Sequence, residues 1–124
     1  MSAKGRVAVL DDEVLLLELF KLVLTEAGYE VVASTELERA HDLVLTTHPD
    51  VVLLDLMAAG EPKGYEALEA LRADGTTSDV PVVVCSVLSE PLLKTLQRDG
   101  RITVLAKPFE LPELLSAVDD AAHR

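Results

Sequence analysis

The feature that most constrains this chain is an alternation. Short apolar runs rich in β-branched residues trade places five times with segments of helical periodicity. The runs read as strands at Arg6–Leu10, Glu30–Ala33, Val51–Leu54, Val80–Cys85 and Ile102–Ala106. The third and fourth are apolar throughout, as strands covered on both faces should be. The helical segments cover Glu13–Ala27, Glu36–Thr47, Tyr65–Ala73, Pro91–Arg98 and Leu111–Ala122. Gly28 suits the position just past the first helix, and His48-Pro49 stops the second. Pro91 opens the fourth, and Gly75 and Gly100 follow the third and fourth. In the last, Leu111, Leu114, Leu115 and Val118 fall at i, i+3, i+4 and i+7 and predict one buried stripe. In the first, the wheel assigns Leu16, Leu19, Phe20, Val23 and Ala27 to the core. It sets Leu15 and Leu22 together about 110° away.

Strict β-α alternation with short links implies a parallel sheet with right-handed crossovers. Five strands predict a doubly wound α/β sheet of order 2-1-3-4-5, flavodoxin-like, with five helices. With 124 residues the chain has room for one proper core, so a single domain over residues 1–124 is expected.

Charge narrows the function classes. Eleven basic against 22 acidic residues give a net charge of −11, which repels phosphate backbones and argues against direct nucleic-acid contact. No apolar run reaches the length of a membrane span, and Met1 to Gly5 lead straight into a strand without a signal-peptide apolar region. The cytoplasm is the expected location. The single cysteine, Cys85, sits in an apolar run and reads as packing, with no disulfide or zinc cluster to join. His41, His48 and His123 lie far apart near helix ends and read as solvent-exposed.

In open α/β sheets, ligands bind beyond the carboxyl ends of the strands, near the point where strand order reverses. There the sequence places Asp11, Asp12 and Glu13 after strand one, Asp55 at strand three, Ser86 at strand four, and Lys107-Pro108 at strand five. Taken singly, each has an ordinary structural use: an Asp pair after a strand caps a helix, and a Lys-Pro step is a loop. Together they converge. Two carboxylates about 4 Å apart repel by roughly 4 kcal/mol at an effective dielectric near 20, which a proton or cation must relieve. An all-oxygen set with room for water suits Mg²⁺, or Mn²⁺. Metal, ammonium and hydroxyl around one further carboxylate describe a phosphoryl-transfer site. Asp55, alone at the end of the central strand, is the candidate nucleophile, and Asp11 and Asp12 are the metal-holding pair.

Four runs carry a resemblance: Val7–Glu13 (Val-Ala-Val-Leu-Asp-Asp-Glu), Val51–Met57 (Val-Val-Leu-Leu-Asp-Leu-Met), Val82–Ser86 (Val-Val-Val-Cys-Ser) and Leu105–Phe109 (Leu-Ala-Lys-Pro-Phe). In order and spacing, over essentially the whole chain, they resemble the motifs of bacterial two-component response-regulator receiver domains, the CheY-like fold. The resemblance implies that Asp55 accepts a phosphoryl group from a histidine kinase or histidine phosphotransfer protein. It implies Asp12 as a direct metal ligand, Asp11 as one acting largely through water, and the Met57 carbonyl as a further ligand. Ser86 becomes the hydroxyl that bonds the phosphoryl group, and Lys107 its ammonium partner. The Lys107-Pro108 bond is expected to be cis by the same analogy. Such a domain is a signalling switch and not an enzyme, beyond phosphorylating itself from small donors and dephosphorylating itself.

Three positions depart from the family pattern. Val104 stands where a switch aromatic is usual, which leaves the loop after Ser86 to carry output. Val87 stands where a small residue is usual, and its branched side chain predicts slowed turnover at Asp55 that Val87→Ala relieves. The loop Ala58–Gly64 lacks an early proline and is one residue longer before the glycine.

Receivers dock their phosphodonor beside the first helix, so Leu15 is a candidate docking residue. Asp119 and Asp120 do not fit the charge pattern of receivers that dimerise through the last two helices, and that dimer is not expected. Among rival functions, a haloacid-dehalogenase-like phosphatase needs an Asp where Met57 stands. A flavin or nucleotide binder needs a Gly- or hydroxyl-rich loop where Asp11-Asp12-Glu13 stands. A receiver-like interaction module that works without phosphorylation stays open through Val104. The effector or output domain is unknown, and with no DNA-binding region after the fifth helix the chain is either a stand-alone receiver or a piece of a larger regulator.

Overall fold

A computed structural model describes residues 4–58, 60–86, 94–96 and 98–123. In chain order the elements are β1 (Arg6–Leu10), α1 (Val14–Glu26), β2 (Glu30–Ser34), a 3₁₀ turn (Leu37–Arg39) running into α2 (Ala40–Thr47), β3 (Val51–Asp55) and α3 (Lys63–Ala73). Then follow β4 (Val82–Ser86), α4 (94–96 among the described residues), β5 (Ile102–Ala106) and α5 (Leu111–Ala122). All five strands are parallel, in the order β2-β1-β3-β4-β5. This is the expected doubly wound topology.

The apolar runs are strands because the sheet is covered on both sides and alternate residues feed different layers. Ala8, Leu10, Val52, Leu54, Val82 and Val84 face the layer that includes Ala40 and Val44 of α2 and Leu68 and Leu71 of α3. Val7, Val9, Val51, Leu53, Val83 and Cys85 face α1 and α5, which contribute Phe20 and Leu24 and then Leu114 and Val118. Phe20 stacks on Phe109 with ring centroids 6.2 Å apart, closing the α1–α5 layer near the end of β5.

Several boundaries differ from the expectation, each for a local reason. The fourth strand starts at Val82 and not Val80, because Val80 is committed to the preceding loop. Its N–H donates to the Thr77 carbonyl, and its own carbonyl accepts from Arg72. The third helix starts at Lys63, two residues early, and so carries Gly64 into its first turn. The core stripe of α1 is Leu17, Phe20 and Leu24; Leu19, assigned to the core from the wheel, is exposed. Leucines occupy nearly every side of that helix, so the wheel gave relative positions without saying which side meets the sheet. Leu111 in α5 is likewise exposed, while Leu114 and Val118 are buried. His41 is not free in solvent: its Nε2 lies 2.7 Å from Asp74 Oδ2, tying α2 to the end of α3. His48 takes a left-handed conformation (φ 48°, ψ 58°) that ends α2 before Pro49.

Val87 and half of the segment Pro91–Arg98 lie outside the described residues. Among the described residues, no helix is long and apolar enough to cross a membrane.

Candidate functional site

The strand order brings the singled-out residues to one edge of the sheet. Asp11 follows β1, Asp55 ends β3, Ser86 ends β4 and Lys107 follows β5. β4 pairs with β3 on one side and β5 on the other, and the Lys107 N–H donates to the Ser86 carbonyl at 3.1 Å. The Lys107-Pro108 bond is cis, as anticipated.

Carboxylate oxygens of Asp11, Asp12 and Asp55 lie within 4.8 Å of one another. Asp11 is 2% exposed and Asp55 8%, whereas Asp12 faces solvent. Asp11 Oδ1 accepts the Glu13 N–H at 2.9 Å, and Asp55 Oδ1 accepts the Met57 N–H at 3.2 Å. On its other oxygen, Asp55 faces the Lys107 ammonium, Nζ to Oδ2 3.7 Å. Ser86, at the end of the neighbouring β4, is buried.

The electrostatics follow from that crowding. Burial pushes the Asp11 carboxyl up to about 6; the Glu13 N–H opposes the shift and the Asp55 charge adds to it. The Asp55 carboxyl is also raised, by burial first and by Asp12, against the pull of Lys107 and the Met57 N–H. One ammonium thus faces three acids, so the group still favours a cation. The three carboxylates offer an all-oxygen donor set, partly open to water through Asp12. The donor set fits a hard, oxygen-seeking ion. Cys85 takes no part: it is buried, and desolvation pushes its thiol up to about 12.

The chain after Asp55 is held more tightly than its sequence suggested. Ala58 and Glu61 exchange both backbone hydrogen bonds at 2.9 Å, closing a small hairpin. Gly64 then packs directly on the end of β3. A Cβ there would lie 2.0 Å from the Asp55 carbonyl oxygen and 2.4 Å from Leu56 Cα, so only glycine fits. The sequence offered one signal for this, a glycine at the start of a helix, but not the close approach behind it. Val104 is half-buried and packs toward the α2–α3 layer.

Beside the site, α1 leaves Val14, Leu15 and Leu22 largely exposed, Leu15 at 83%. An apolar groove of about 390 Å³ runs from Lys107 and Pro108 past Phe20 and Phe109 to Leu111. A cavity of about 450 Å³ lies at the opposite, amino ends of the strands, against Asp50 and Pro81, away from the carboxylates.

Residues 7–119 match the family model of the response regulator receiver domain. The chain is 32% identical over 116 residues to the DNA-binding dual master transcriptional regulator RpaA of Synechocystis, covering 91% of this chain and 47% of that protein. It is 29% identical over 119 residues to the phosphate regulon transcriptional regulatory protein PhoB of Pseudomonas aeruginosa, covering 95% and 52%. The chain therefore spans about half the length of the curated relatives it matches. Among solved structures it is similar to a Francisella response regulator receiver domain (TM-score 0.83, 26% identity, 96% of this chain and 97% of that one). The chemotaxis protein CheY4 of Vibrio cholerae shares the fold (TM-score 0.81, 24% identity, 98% and 99%).

Proposed function

Because the chain belongs to the response-regulator receiver family, we propose that it is a phosphorylation switch in which Asp55 takes a phosphoryl group from a phosphohistidine. The Asp55 carboxylate attacks phosphorus, the P–N bond to the donor imidazole breaks, and that nitrogen takes up a proton. An aspartyl phosphate and a free histidine result. Lys107 pairs with the transferring oxygens, and the Ser86 hydroxyl donates to one of them once the group is seated.

Asp11, Asp12, Asp55 and the Met57 carbonyl would hold Mg²⁺ or Mn²⁺. The ion supplies positive charge to phosphoryl oxygens that would otherwise be repelled by three carboxylates. Asp11, buried and bonded to the Glu13 N–H, orients the pair. Asp12 is open to water and to the ion. The observation that carries the reading is the position of Asp55: it belongs to the acidic group through one face and faces the Lys107 ammonium at 3.7 Å through the other.

The phosphodonor is a histidine kinase or histidine phosphotransfer protein, in the cytoplasm, and the reader is an effector protein or an output domain. Residues 1–124 act as one receiver unit, without direct contact to nucleic acid or membrane. The activity expected of the chain itself is self-phosphorylation from small donors and autodephosphorylation.

The test is incubation with Mg²⁺ and acetyl phosphate, followed by intact mass. One added phosphoryl group, absent with EDTA and absent from Asp55→Asn, is expected. Mg²⁺ binding without any phosphoryl addition would point instead to a receiver-like module that works by docking.

A further inference from the structure

The backbone that follows Asp55 is tied on every side of one carbonyl. The Met57 N–H donates to Asp55 Oδ1 at 3.2 Å, and the Leu56 carbonyl accepts the Gly64 N–H at 3.0 Å. The Ala58 N–H donates to the Glu61 carbonyl at 2.9 Å, and the Glu61 N–H returns the bond to the Ala58 carbonyl at 2.9 Å. A trans peptide is planar, so the Met57 carbonyl points opposite to the Ala58 N–H with which it shares a plane. The hairpin bond therefore turns that carbonyl away from Glu61. Among the described residues it has no hydrogen-bond donor.

Closing so short a hairpin requires a residue in the left-handed region, and Gly60 supplies it with φ 77°. A Cβ at Gly60 meets nothing within 4 Å, so substitution there changes backbone preference without crowding a neighbour. Resting on the reading that the Met57 carbonyl serves the cation, we propose that Gly60 is a positioning residue of the metal site. The turn it closes holds the Met57–Ala58 peptide plane in the orientation that leaves the carbonyl free for Mg²⁺. Gly60 touches neither metal nor phosphoryl group and acts through the Ala58–Glu61 bridge.

The experiment is a Mg²⁺ titration, with MgCl₂ as the only added ligand, read by amide chemical shifts in the intact chain. Wild type, Gly60→Asn, Gly60→Ala and Gly60→Val form a series of falling tolerance for positive φ. The apparent Kd should rise in that order, staying within about twofold of wild type for Gly60→Asn and reaching roughly tenfold for Gly60→Val. The same spectra report whether each variant is folded. A common Kd across the series would overturn the proposal. So would equal weakening in Gly60→Asn and Gly60→Val, because the loss would then not follow backbone preference. Absence of Mg²⁺ binding in the wild type would instead overturn the reading of the site itself, and this inference with it.

Discussion

At the scale of one residue, the buried Asp11 carboxylate works against the fold that carries it. Its carboxyl is pushed up to about 6, mainly by burial. A folded-state value above the unfolded one means that the neutral form stabilises the fold. That contribution is complete below about pH 4 and is lost as pH rises through about 6. At neutral pH the metal-free protein therefore carries a buried charge worth on the order of 2 kcal/mol against folding. Asp11→Asn should raise metal-free stability by about that amount at pH 7, with the gain vanishing near pH 4. Urea melts in EDTA across that range check it; a variant less stable than wild type at pH 7 would contradict the account. The same ionisation makes cation binding pH-dependent, since Mg²⁺ needs the charged carboxylate. Affinity in wild type should fall as pH drops through about 6. Lys107 offsets part of the repulsion at Asp55 but is one ammonium against three acids.

At the scale of elements, the loop from Asp55 to α3 connects fold and site. Gly64 lets the first turn of α3 lie against the backbone of Asp55 and Leu56. Gly64→Ala sets a helix-propensity gain of about 1 kcal/mol against the cost of a methyl group 2.0 Å from a backbone oxygen. Overpacking costs of about 3 kcal/mol win, so net destabilisation of about 2 kcal/mol is expected from urea melts. An unchanged or raised midpoint would contradict the close packing. The strands, their order and the four site-bearing strand ends were legible in the sequence, because apolar runs and charged punctuation are local signals. What was not legible depends on closure in space. Leu17 and Leu24, and not Leu19, meet the sheet because the sheet decides which side of α1 is buried. Val80 leaves the fourth strand because Arg72, eight residues back on α3, claims its carbonyl. His41 finds Asp74 across two helices. The hairpin between Ala58 and Glu61 had no signal in the loop's sequence.

At the scale of the molecule, a doubly wound sheet places its chemistry at one edge and leaves α1 beside it as a surface a partner can reach. Leu15 is 83% exposed near that edge, so removing its side chain should leave stability within about 0.5 kcal/mol. As a docking residue, Leu15→Ala should still slow phosphotransfer from a cognate histidine protein several-fold, while phosphorylation from acetyl phosphate is unchanged. Equal phosphotransfer rates would remove Leu15 from the interface. The net charge of −11 disfavours contact with a phosphate backbone. The relatives that share this domain are about twice its length. The central claim is that Asp55 itself becomes phosphorylated, and one measurement tests it directly. An acyl phosphate on aspartate is reduced by borohydride to homoserine, which peptide mass mapping locates. After phosphorylation with Mg²⁺ and acetyl phosphate, homoserine is predicted at position 55 and at no other aspartate. Homoserine at Asp11 or Asp12, or a phosphoryl group that survives borohydride on another residue, would contradict the account.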